Sequence, residues 1–250
     1  MSRKRKDHRL WAVVFWLCLW QAAAMAVGHE VLLASPVRTV LRWAELAATA
    51  AFWRSILYTL WHILAGYSLA ATAGIALGAL SRRLQPVREL LSPLMSAIKS
   101  IPVASFVIAA LIWIPSRGLS ILISFLIAFP VFYAGTLNGL DQIDRKNMEM
   151  ARTLGMPRWN RLRALVLPAA LPAIRTAASL AIGLSWKSGV AAEVIGIPIG
   201  SIGEKLYKAK IYLATADLFA WTLTIIALSA CTEKLIHWGL KALGRRLERV

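Results

Sequence analysis

The sequence predicts an all-α, polytopic membrane protein with about six transmembrane helices. Hydrophobic residues fill 58% of its 250 positions and charged residues only 16%, where a soluble domain carries about a quarter charged. The mean hydropathy is +0.62. The apolar residues gather into several runs of roughly 18 or more, the length a helix needs to cross about 30 Å of hydrocarbon.

The first run, Leu10 to Val27, follows the basic cluster Arg3, Lys4, Arg5 and Lys6. A basic start and the small residues Ala24-Met25-Ala26 fit a cleaved signal peptide, but the length and Trp content of the run favour a retained helix. Residues 28–52, with Pro36, Arg38, Arg42 and Glu45 among apolar neighbours, read as an outer loop holding a short interfacial helix. The second span covers 56–80 and ends at Ser81-Arg82-Arg83. A third, 90–114, is broken near Pro102, which lacks a backbone donor. Pro115-Ser116-Arg117-Gly118 reads as a tight turn before the fourth span, 119–137. The fifth, 166–188, carries Pro168 and Pro172, so its first turns are expected to kink. A Gly/Pro-containing outer segment, 189–212, partly re-entrant, leads to the sixth span at 213–238.

A net charge of +17 would suggest nucleic acid in a soluble protein. Here Lys and Arg sit mainly in short segments between apolar runs, which points to membrane topology and against nucleic-acid binding. With both termini inside, the inner segments hold eighteen Lys and Arg and the outer segments eight. Three more, Lys99, Arg175 and Lys234, fall within spans, and the excess supports this orientation. Cys18 and Cys231 lie far apart inside apolar runs, where they read as small buried hydrophobes, and no metal site is expected.

The polar segment 138–165 interrupts the apolar pattern and carries the most information. Asp141 is placed to cap a helix, with Asp144 three residues on. Ile143, Met150 and Leu154 draw an apolar stripe along a short helix otherwise covered by charge. Gly155 suits the left-handed position past a helix end, and Pro157 the first turn of the next helix. The residues thus specify a short amphipathic helix outside the membrane, a sharp turn, and a basic helix leading back in.

Glu149-Met150-Ala151, three residues, Gly155, nine residues and then Leu165-Val166-Leu167-Pro168 resembles the EAA loop of binding-protein-dependent ABC importer permeases. Every spacing matches, and the one departure is Met150 in place of the first Ala. Ala151-Arg152-Thr153-Leu154-Gly155, Val166 to Pro172, Lys99-Ser100-Ile101-Pro102 and Ala192-Glu193-Val194-Ile195-Gly196 are similar to the subfamily that imports nitrate, sulfonates, taurine and bicarbonate. The likeness runs from about residue 55 to the C-terminus.

The resemblance implies a type I ABC importer permease fold in a bacterial inner membrane, serving a small and anionic solute. It also implies the partners: a cytoplasmic ABC ATPase dimer, a second permease copy as homodimer, a solute-binding protein and the lipid bilayer. No cofactor is expected in this chain, since ATP and Mg would sit on the ATPase, and no catalytic residue is expected either. The implied coupling residues are Glu149, Ala151 and Gly155, with Arg152 and Arg158 in support. Lys99, Ser185, Lys187 and Glu193 are the candidates for the translocation pathway. Buried charge in a bilayer is costly, so cations in spans are expected to face a cavity or a partner.

Enzyme readings fail on spacing. Gly196, Gly200, Gly203 and Lys205 lack the Gly-Lys-Ser/Thr of a phosphate loop, because Glu204 intervenes and Leu206 follows. Ser185 is followed by Trp186, not by the Gly expected of an intramembrane serine protease, and His62 and His237 have no motif context. The alternative transport reading is a secondary transporter or channel, whose mark would be inverted repeats. None is evident.

Overall fold

A computed structural model describes residues 2–248, and Met1, Arg249 and Val250 lie outside the described residues. Among the side chains left undescribed are those of the basic residues 3–9, Arg145, Arg245 and Arg246, which the topology count used. The described residues form eleven α-helices and one π-helical segment, with no strand among them. The first is α1 (Ser2–Val27), whose apolar part, Trp11–Val27, is a little shorter than a standard span. It touches the bundle through Trp20, whose indole donates to the Ala34 carbonyl (3.1 Å) and packs on Phe219.

Helix α2 (Pro36–Ala47) forms where a short interfacial helix was expected. Ser35 caps it by accepting from the Arg38 amide, and Val37, Val40 and Leu41 are exposed along it. Arg42 forms a two-point ion pair with Asp217, and the Trp43 indole donates to Thr224 Oγ1 (3.1 Å). These contacts fix α2 across the last helix.

Helix α3 (Ala50–Arg83) is longer at both ends than the expected span of 56–80. The expected span 90–114 is two helices, α4 (Gln85–Ser100) and α5 (Val103–Ala110), bent by 100°. Pro102 forces the break: Ile101 before it is extended (φ −79°, ψ 131°), a conformation the pyrrolidine ring imposes on its predecessor. Helix α6 (Ser116–Asp141) follows, and it begins inside the expected tight turn, so Ser116, Arg117 and Gly118 form its first turn. Helix α7 (Arg145–Thr153) and the short α8 (Arg158–Arg161) come next. Through π-helical Leu162–Val166, α8 runs on into α9 (Leu167–Gly196).

The π turn closes with Leu167 N–H bonding the Leu162 carbonyl five residues back, directly before Pro168, which has no N–H to donate. The expected outer segment 189–212 is shorter than the sequence suggests, because α9 continues to Gly196. There the signal Gly196-Ile197-Pro198 ends it, with Ile197 left-handed (φ 48°). Helix α10 (Ile202–Ile211) and α11 (Thr215–Glu248) complete the chain.

Among the described residues four helices are long and apolar enough to cross a membrane: α3, α6, the continuous Arg158–Gly196 rod, and α11. The bent α4–α5 pair makes a fifth if it counts as one span. The shorter apolar part of α1 lies where the first of the expected six spans was placed, so the described count of four or five approaches that number.

Helices α3, α6 and α9 form the centre. Gly66, Ala70, Gly74 and Gly78 recur every four residues on the buried face of α3 and let it lie directly on α6. A Cβ on Gly74 would fall 2.6 Å from Phe132 Cβ, and one on Gly78 would fall 2.9 Å from Thr136 Cβ. Lipid supplies no hydrophobic driving force between helices, so such close approach is how spans gain contact. Ile63, Phe132, Ile182 and Trp186 fill the core, and the Trp186 indole donates to Thr232 Oγ1 (2.8 Å) on α11. Both cysteines are exposed on the chain, against the expectation that they would pack inside, because each sits on the outward face of its helix.

Candidate functional site

Helix α7 stands outside the apolar spans. Asp144 is its cap, accepting from the Lys146 amide at 2.9 Å. Asp141, expected in that role, is instead the last residue of α6. Its carboxylate lies 3.0 Å from Arg82 Nε and 3.4 Å from Arg88 Nη2. The helix closes in a Schellman motif: Met156 N–H bonds the Ala151 carbonyl and Gly155 N–H the Arg152 carbonyl, both at 3.0 Å. Gly155 holds φ +69°, the left-handed conformation that a side chain resists. Pro157, expected in the first turn, is instead the cap residue, one position before the rod that runs from Arg158 through α8 into α9.

Ala151 is 3% exposed, while Glu149, Arg152, Gly155 and Arg158 are all exposed. Met150 and Leu154 are 60% and 73% exposed, and Trp159 just past the turn is exposed as well. The structure therefore brings the expected coupling residues together on one short helix and turn. That helix buries Ala151 inward and presents apolar side chains outward.

The four pathway candidates do not converge. Lys99 is exposed in the last turn of α4, just before the 100° bend, and Lys187 is exposed on α9. Ser185 is fully buried and its Oγ has no hydrogen-bond partner. Glu193 is fully buried and holds the start of α10. Its Oε2 accepts from Thr59 Oγ1 (2.8 Å) and from the Gly203 amide (3.2 Å), while Thr59 Oγ1 accepts from the Ile202 amide (3.0 Å). Side chains from α3 and α9 thus satisfy amides that a helix start leaves unpaired. Arg175, on α9, buries its Nε without a partner.

Ser201 and Glu204 complete this junction. Ser201 Oγ accepts from the Glu204 amide (2.9 Å), and Glu204 reaches back to the Gly200 amide (2.6 Å). Burial alone would raise the Glu204 carboxyl. The Lys208 ammonium at 2.6 Å and the Gly200 N–H outweigh it and hold the acid below the usual carboxylate range. Its contribution to stability is therefore present at neutral pH and is lost as pH falls through that lowered pKa. Sequence reasoning missed Thr59 and Gly203 as partners of Glu193: Thr59 lies 134 positions away, and Gly203, 10 positions away, contributes only a backbone amide. The Ser201-x-x-Glu204 pattern spells a capping box, a local signal that could have found this helix start. Among the described residues no group of three or more His, Cys, Asp or Glu could hold a metal ion.

Comparison with known proteins gives these features a family. Residues 70–249 match the model of the binding-protein-dependent transport system inner membrane component. The putative aliphatic sulfonates transport permease of Bacillus subtilis is 26% identical over 223 residues, covering 88% of this chain and 80% of that protein. The bicarbonate transport permease of Synechococcus elongatus is 31% identical over 188 residues, covering 75% of this chain and 67% of that one. A chain of the MetNI methionine ABC transporter, solved in inward-facing conformations, superposes with a TM-score of 0.58 at 20% identity. It covers 79% of this chain and 96% of its own length, and so bears on the fold. These matches decide against a secondary transporter or channel. With its apolar helices and these matches, the chain belongs to the binding-protein-dependent family of inner-membrane ABC importer permeases and is a multi-pass permease subunit.

Proposed function

We propose that α7 docks into a groove on a cytoplasmic ABC ATPase, and that two copies of this chain pair over an ATPase dimer. ATP and Mg are bound on that partner, and a separate binding protein delivers the solute to the opposite face. The observation that carries this reading is the exposure of Met150 and Leu154, 60% and 73%, on a charged helix outside the spans. Apolar side chains so exposed on a polar helix have a use when a partner covers them. Glu149, Arg152 and Arg158 supply polar contacts around them, and Gly155 sets the angle between the docking helix and the rod behind it.

The cargo is a small anion or an anion-bearing organic molecule, of the class of sulfonates, taurine, nitrate or bicarbonate. Two relatives are named for sulfonates and bicarbonate. Lys99 and Lys187 are exposed cations on helices of the bundle, and an ammonium at such a position favours water or a partner over lipid. Affinity capture of the tagged chain in mild detergent tests the whole reading. An ATPase with a nucleotide-binding domain and a solute-binding protein are expected in the eluate, and mass spectrometry is expected to find an anion on the binding protein. A capture without ATPase overturns the docking role, and a cationic ligand overturns the anion assignment.

The orientation has its own test. Cysteines placed singly at Glu149 and Gly200 are expected to label from opposite sides, position 149 with membrane-permeant reagent alone and position 200 from outside. Labelling of position 149 by an impermeant reagent in intact cells reverses the topology.

A further inference from the structure

At the α7 end of the bundle, three helices meet in one carboxylate. Asp141 Oδ1 lies 3.0 Å from Arg82 Nε in the last turn of α3, and Oδ2 lies 3.4 Å from Arg88 Nη2 in the first turns of α4. Helices α3 and α4 are joined by Leu84 alone, in an extended conformation (φ −119°, ψ 103°) with no side-chain cap. Along its length α4 buries only Met95 and Ile98. Leu91 packs half-buried against the same core, and at the Leu84 end Arg88 ties α4 to Asp141. Helix α6, by contrast, is locked to α3 through the Gly74 and Gly78 approaches and a buried bond from Tyr133 OH to Ser81 Oγ (3.1 Å). On the other side of Asp141, only Gln142 and Ile143 separate it from Asp144, the cap of α7. Three trans peptide steps reach at most about 11 Å.

We propose that Asp141 is a positioning residue: through Arg82 and Arg88 it carries displacement of α7 to the bent α4–α5 pair. The proposal rests on the reading of α7 as the ATPase-docking helix. The three side chains are 34–44% exposed, so the pin contributes little to folding, on the order of 0–1 kcal/mol for an exposed pair. That small energy is what makes it suited to the task. The α3–α6 slab keeps its shape without the pin, whereas α4 loses its tie to the base of α7.

The test uses the complete complex of permease, ATPase and binding protein in proteoliposomes, reading solute transported per ATP hydrolysed. Asp141→Asn is expected to assemble with the ATPase and hydrolyse ATP within about twofold of the parent. Its transport per ATP is expected to fall about fivefold or more, the lower end of ordinary coupling between sites. Arg88→Gln is expected to move the ratio in the same direction. The charge-swapped triple variant Asp141→Arg, Arg82→Asp, Arg88→Asp is expected to recover most of it, which ties the ratio to the ion pair, while the unchanged assembly and ATP turnover of Asp141→Asn set it apart from a purely structural role. An unchanged ratio in Asp141→Asn, or a triple variant as uncoupled as the single one, overturns the proposal. Failure of the parent chain to bind any ATPase would overturn the docking reading itself, and the capture step separates the two.

Discussion

Replacing Gly155 by Pro, or Glu149 by Lys, is expected to leave the chain in the membrane at normal levels and to stop transport-linked ATP hydrolysis. Pro fixes φ near −65°, whereas Gly155 sits at +69° and donates its N–H to the Arg152 carbonyl. The Schellman turn must open in this variant, and with it the fixed angle between α7 and the rod that becomes α9. No apolar span is touched. Glu149→Lys acts differently: it reverses one charge on an exposed helix face, so it leaves the fold alone and alters only what meets that face. Each is expected to lower ATP-driven uptake on the order of tenfold or more, which needs a coupling loss of only about 1.4 kcal/mol. The measurement is uptake by reconstituted vesicles alongside ATP turnover. Normal uptake in either variant removes α7 from the coupling role.

The second large effect lies in the bundle. Gly74→Val places a branched side chain where a Cβ alone would stand 2.6 Å from Phe132 Cβ and 3.0 Å from the Tyr133 amide nitrogen. Backbone cannot retreat as the end of a flexible side chain can, so α3 and α6 must separate along the stripe of Gly66, Ala70 and Gly78. Overpacking of this kind costs about 1–3 kcal/mol and more where backbone must move. The expected result is a melting temperature in detergent lowered by several degrees or more, with reduced yield. Gly183→Ala on α9 is the control: open space lies beyond that glycine, so its stability is expected to stay near the parent's. Equal melting of both variants would show that the α3–α6 approach is not what holds the centre together.

The sequence by itself determined the class of molecule, its main apolar helices and the turn at Gly155. These are local properties. Run length and polarity decide whether a segment crosses a bilayer. A Gly at the end of an apolar stripe followed two residues later by Pro decides how a short helix stops and the next begins. Gly155 and Pro157 were therefore readable, and so was the break that Pro102 imposes between α4 and α5. The boundary errors were also local in origin. Apart from Glu193, residues 189–196 are small or apolar and hold no proline, so α9 continues through a stretch that its Glu and Gly made look like loop.

Only the tertiary structure decided which side chains meet. Glu193 reads as a candidate for a solute path because an acid in an apolar run is rare. Its actual partners, Thr59 on α3 and the Gly203 amide of α10, make it the piece that holds three elements together at a helix start. Asp141 reads as a cap because it precedes a helix. In the folded chain the nearer Asp144 takes that role, and two guanidiniums from the α3–α4 corner claim the Asp141 carboxylate instead. Asp and Arg have the same composition and charge wherever they sit, so their sequence neighbours say little about their partners. Those are chosen by which helices pack together, and here the glycine stripe of α3 decides it by bringing α3 and α6 close enough for their ends to share one ion pair.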